Sequence, residues 1–189
     1  MAESKNNIVT HGFSGKLGDL IVFRQKGNKT FVSKAPKDFT GTPTEDQASI
    51  RDRFQQAVIY AKSALADPAR KAEYKEAGKA DGLSAYNVAI ADFFKAPDIH
   101  EIDVKGYTGA VGSKIIIKVT DNFKVTAVHL KIENADNSLV EQGNAVQNGE
   151  GSSEWTYTAI AANASLSGDK ITITATDQPA NESVKEASL

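Results

Sequence analysis

The sequence predicts an α+β fold laid out in three consecutive segments, and three observations carry that expectation. Residues 12–35, GFSGKLGDLIVFRQKGNKTFVSKA, hold two apolar runs around a Lys-Gly-Asn-Lys tip, the pattern of a β-hairpin. Residues 42–97 carry helix-start signals followed by apolar residues three and four apart. From Ile99 onward the apolar period falls to two, with turn signals at the spacing of an antiparallel sandwich. The expected divisions are an arm with a β-hairpin over 1–41, a body of two or three helices over 42–97, and a β-sandwich over 98–189.

In the arm, a two-residue turn at Gly27-Asn28 pairs Lys26 with Lys29 and Phe23 with Val32. Leu20, Val22 and Phe31 then share one face, and Ile21, Phe23 and Val32 the other. A half-buried strand alternates apolar with polar, whereas this hairpin is apolar on both sides. A two-stranded hairpin alone is marginal in water, and its outer edges are expected to offer unpaired backbone groups. Both faces therefore need cover. Upstream, Gly12, Gly15 and Gly18 fall three apart and permit turns or close backbone approach. They precede a strand, whereas a phosphate-binding loop follows one.

The helical segment opens on TPTE, read as a capping box with Thr42 at the N-cap, Pro43 at the first helical position and Glu45 closing it. Ile50, Phe54, Ala57, Val58, Ala61 and Leu65 mark one apolar stripe. Asp67-Pro68 starts a second helix. A third runs through SAYNVAIADFFKAP, with Tyr86, Ala89, Ile90, Phe93 and Phe94 apolar and Pro97 as its stop. In the last segment strands are expected near 99–105, 113–119, 124–133, 138–146, 154–160 and 170–176, with a seventh near 182–187. Trp155, the sole tryptophan, reads as a core residue.

The stretch VTDNFKVTAVHLKIENADNSLVEQG, with EWTYTA and GDKITITATDQPAN after it, resembles a bacterial immunoglobulin-like domain. The residues that carry the likeness are Asp121, Asn122, Val125, Val128 and Ile132, then Ala175, Asp177 and Asn181. Ala180 stands where that pattern has glycine. The resemblance covers the last ninety residues or so and implies the sandwich fold, not a function. It also allows Asp121 and Asp177 to converge at one end of the sandwich, where they would cap turns or offer oxygen ligands to calcium. Turn capping is the simpler account, so no resident metal is expected and calcium is the minor alternative. Residues 12–95 are similar to a looser group of uncharacterised small proteins of Bacteroidota and phage-like origin, through Gly15, Gly18, Arg24, Gly27, Thr44, Gln47, Arg51, Arg53 and Phe54. No activity comes with that likeness.

Cysteine is absent, which excludes disulfides and thiolate metal sites. His11, His100 and His129 show no metal-ligand spacing, and no serine-nucleophile motif is present. No apolar run approaches the roughly 20 residues of a membrane span, and the first residues lack the apolar core of a signal peptide, so synthesis in the cytoplasm is expected, with release as part of an assembly open. Residues 1–40 carry seven Lys/Arg against three Asp/Glu, and residues 41–189 fifteen against twenty-one, a net of +4 against −6. Solubility accounts for that imbalance; so does docking of a basic front end on the acidic body of another copy. The dispersal of the basic residues disfavours nucleic acid.

These observations lead to an expectation of a non-enzymatic structural protein without cofactor. It assembles with copies of itself through Leu20, Ile21, Val22, Phe23, Arg24, Phe31 and Val32 into a filament, tube or particle coat. The alternative is a soluble binding module that meets a glycan or a protein through its sandwich loops.

Overall fold

The computed structural model describes residues 2–4, 10, 12–26, 29–37 and 41–189 and bears out the α+β class. The chain forms two compact units, residues 1–47 and 48–189. The change of period after Pro97 falls inside the second.

The first unit is an antiparallel sheet of β1 (Ala2–Ser4), β2 (Gly15–Leu17), β3 (Ile21–Lys26) and β4 (Lys29–Lys34), in the order β1-β4-β3-β2. Its central hairpin has the register the sequence predicts, Lys26 opposite Lys29 and Phe23 opposite Val32. The Gly27-Asn28 turn itself lies outside the described residues. The expectation of unpaired hairpin edges is corrected: β1 lies along β4 and β2 along β3. The reason is local. Gly15 and Gly18 both hold positive φ, 116° and 55°, so the chain reverses through Gly18-Asp19-Leu20 and lays Leu17 opposite Ile21. A 2.6 Å ion pair from Lys16 to Asp19 and a bond from the Ala35 amide to the Leu20 carbonyl close that corner.

α1 (Glu45–Ala64) starts in the last residues of the first unit and continues into the second, where α2 (Pro68–Ala77) and α3 (Ala85–Phe94) follow. The α1 cap sits two residues beyond the expected one: the Gln47 amide donates to the Thr44 hydroxyl, and the Thr44 amide donates to the Gln47 side-chain oxygen. TPTE and TEDQ both satisfy the capping pattern, and spacing alone does not separate them. Asp67 caps α2 as expected from sequence, and Ser84 caps α3. The α1 stripe is half right. Ala57 and Ala61 are buried, with Ala64 beside them, and Val58 and Leu65 are half-buried, but Phe54 and Ile50, one and two turns earlier, are exposed. Small alanines let the helix approach Tyr74, Val88 and Ala89 closely, and these residues form one core.

The sandwich contains β5 (Asp98–Asp103), β6 (Lys114–Thr120), β7 (Val125–Glu133), β8 (Leu139–Asn144), β9 (Val146–Gln147), β10 (Glu154–Thr158), β11 (Lys170–Asp177) and β12 (Glu182–Ser188). One sheet runs β5-β6-β10-β9 and the other β12-β11-β7-β8. In immunoglobulin lettering these orders are A-B-E-D and G-F-C-C′, the strand order of that sandwich. Ile115, Ile117, Val119, Trp155 and Tyr157 from the first sheet meet Val128, Leu130, Ile132, Ile171, Ile173 and Ala175 from the second in one core. Strict alternation of buried and outward residues along β6, β7 and β11 produces it. The single strand expected over 138–146 is two. β8 pairs with β7, the chain crosses at buried Ala145, and β9 pairs with β10 in the opposite sheet. Lys185 closes the β5–β12 side by donating to the carbonyls of Ile99 and His100.

Candidate functional site

The arm residues proposed from sequence occupy the centre of the first sheet. By register, Leu17 joins Ile21, Phe23 and Val32 on one face, while Val22, Arg24 and Phe31 lie on the other. Phe13 packs edge-on against Phe23 at 5.6 Å. Leu20 sits in the corner before β3, 77% exposed, and Leu17 is 61% exposed. Ile21, Val22, Phe23, Phe31 and Val32 are half-buried. Among residues 10, 12–26, 29–37 and 41–47, Thr30 alone is buried, and its hydroxyl accepts from the Gln25 side-chain amide.

A second constellation joins the helices to one end of the sandwich, and three aspartates form its centre. Asp121 begins the β6–β7 turn. One of its oxygens accepts from the amides of Phe123 and Lys124, which is why an acid stands there. Asp177 ends β11; its two oxygens accept from the amide and the side chain of Asn181 at 2.6 and 2.7 Å. Asn181 reaches on to the carbonyls of Asp92 and Phe93 at the end of α3. Asp92 is the third. It points inward from α3 at 0% exposure, and its Oδ2 accepts from the Tyr74 hydroxyl at 2.6 Å. Because Tyr74 donates there, the Tyr60 hydroxyl, 2.7 Å away, donates to Tyr74. Phe123 stacks on the Tyr74 ring at 4.1 Å, and Lys124 pairs with Glu73 of α2.

One oxygen from each of Asp92, Asp121 and Asp177 lies within 4.8 Å of the other two. Burial raises the Asp92 carboxyl to about 7; the Tyr74 bond works against that rise, and the charges of Asp121 and Asp177 add to it. Asp177 is raised too, mainly by burial and against its bonds from Asn181. Asp92 Oδ1 and Asp121 Oδ1 are buried without any hydrogen-bond partner. Asp121 also borders a cleft of about 540 Å³, which Glu73, Glu76, Phe123, Lys124 and Glu150 help to line.

Sequence reading thus placed Asp121 and Asp177 together and missed Asp92. The signal was available: an acid inside AIADFF stands on an otherwise apolar helix. His100 and His129 lie on strands as expected, and His11 is outside the described residues. The pattern residues of the front half have structural roles. Thr44 and Gln47 form the α1 cap, and Arg53 lies 5.2 Å over the Phe94 ring, on which Phe54 also stacks. Elsewhere, buried Glu141 accepts from the Tyr157 hydroxyl and the amides of Ile160 and Ala161, anchoring the chain after β10. No helix among the described residues is long and apolar enough to cross a membrane. Comparison with protein-family models, with curated proteins and with solved structures finds no match for this chain.

Proposed function

We propose that the chain is a non-enzymatic structural protein that assembles with copies of itself by docking the 1–41 arm on a neighbour. In this reading the sandwich, a bacterial immunoglobulin-like domain, faces outward as spacer or decoration. One observation carries the reading: a sheet bearing Leu17, Ile21, Val22, Phe23, Phe31 and Val32, with Leu20 at its corner, buries Thr30 alone among residues 12–26 and 29–37. Half-exposed apolar side chains on a thin sheet leave the burial term unsatisfied, at about 25 cal/mol per Å². A second copy fits as the occupant because the front of the chain carries +4 and the remainder −6.

Sedimentation velocity on the full chain and on Phe23→Asp tests this. The wild type is expected to run as a large species at micromolar concentration and the variant as a monomer. Raised salt weakens assembly only in part, since screening acts on exposed charges and hardly on apolar surface. A wild type that stays monomeric at every concentration overturns the reading and leaves the binding module in its place.

A further inference from the structure

We infer that Asp92, Asp121 and Asp177 bind a divalent cation of calcium size, which ties α3 to the β6–β7 turn and to the end of β11. Turn capping accounts for both oxygens of Asp177 and for one of Asp121. It does not account for Asp92, which caps nothing. Oδ1 of that fully buried side chain has no partner, and neither has the buried Oδ1 of Asp121. An unpartnered buried carboxylate oxygen is costly, and its persistence in a well-packed junction calls for a positive group.

Size and chemistry select the ion. Calcium binds oxygen at 2.3–2.6 Å, so two ligands on opposite sides of it stand up to about 5 Å apart. The 4.8 Å limit on the three carboxylate oxygens falls within that span. Magnesium, at about 2.0–2.1 Å, demands near-ideal octahedral geometry, whereas calcium accepts an irregular set of carboxylate oxygens and waters. An all-oxygen donor set without histidine or cysteine favours hard cations over zinc or copper. The remaining coordination positions fall to water from the cleft beside Asp121. Glu73, Glu76, Asp121 and Glu150 border that cleft against the single positive charge of Lys124, a field that draws cations toward the aspartates. The inference is independent of the assembly reading, because every group in it lies within residues 48–189 and none in the arm.

The test uses the full chain stripped with chelator, at pH 7.5, with calcium chloride and magnesium chloride as probes. Calcium at millimolar concentration is expected to raise the melting temperature by several degrees, as binding to the native state alone requires, and to do so more than magnesium. Asp92→Asn, which keeps the shape and removes the charge, is expected to melt cooperatively and to lose at least ten-fold in calcium affinity by titration calorimetry. Terbium supplies a second readout, since the Tyr74 ring beside Asp92 is placed to sensitise its emission, and calcium should displace it. Absence of any calcium-dependent shift and of terbium emission in the wild type overturns the inference. So does an Asp92→Asn variant with undiminished calcium affinity. In that event the three aspartates hold a shared proton and no metal.

Discussion

The two compact units are both sheet-bearing, yet they use their apolar residues in opposite ways. In residues 48–189 every strand of β6, β7 and β11 sends alternate side chains into a common core, and Ile115, Ile117, Leu130, Ile132, Ile171 and Ile173 are fully buried. In residues 12–26 and 29–37 a comparable density of apolar residues, Leu20 to Phe23 and Phe31 to Val32, leaves Thr30 as the one buried residue. Two facing layers make a core and one layer does not. The apolar content of a segment therefore says how much surface wants cover, and the number of layers says whether the segment itself supplies it.

Substitutions probe this contrast, and Trp155, the single tryptophan, reports on the second unit alone. The largest effect is expected for Ile173→Ala, which empties a fully buried site between the sheets. It should cost about 2–5 kcal/mol in a urea melt followed by Trp155 fluorescence. Tyr74→Phe comes next. It removes the hydroxyl that donates to Asp92 and frees the Tyr60 hydroxyl, for a loss of about 1–3 kcal/mol.

The pH dependence sharpens the comparison further. Asp92 titrates near 7 in the fold and near 4 when unfolded, so between those values the native state holds a proton that the unfolded chain has released. The native state binds more protons, and stability falls as pH rises through that window. Asp121 and Asp177 steepen the fall through their charge, and Tyr74 moderates it through its bond. Calcium-free protein is thus expected to melt several degrees lower at pH 7.5 than at pH 5, and Asp92→Asn should flatten most of that slope.

A smaller change is expected from Ala180→Gly. Ala180 holds φ at 69°, a left-handed conformation that a side chain disfavours, and glycine should add about 0.5–1 kcal/mol. The smallest belongs to the arm. Val32→Ala removes a half-buried side chain from the single-layer sheet, so the Trp155 melt should move by less than about 0.5 kcal/mol. A loss there as large as that of Ile173→Ala would break the contrast between the units.

Much of the architecture was legible beforehand because its causes are local. The hairpin register follows from the turn it needs, and the strands of the sandwich follow from a period of two that keeps one face inward. Asp67 was readable as a cap because a short oxygen-bearing side chain before a helix satisfies its first amides. Where two local solutions compete, as at Thr42 and Thr44, pattern does not choose between them. The α1 stripe shows a second limit: Ile50 and Phe54 have the spacing of buried residues, but burial also needs a layer opposite, and the one Phe94 ring that Phe54 stacks on leaves both side chains exposed.

By itself, then, the sequence determined the order of hairpin, helices and sandwich, the register of the hairpin and the alternation that builds the sandwich core, but not β1, β2 or the separate β9. Each of these depends on residues a few positions apart. Tertiary structure alone decided that β1 lies along β4, that the chain changes sheets at Ala145, and that Asp92 joins Asp121 and Asp177. These outcomes depend on which distant faces pack together. A carboxylate on α3 reaches the ends of β6 and β11 only because Tyr74, Phe123 and Asn181 hold the helices against the sandwich. No local spacing encodes that meeting, because its partners are brought together by the burial of surfaces contributed from the whole unit.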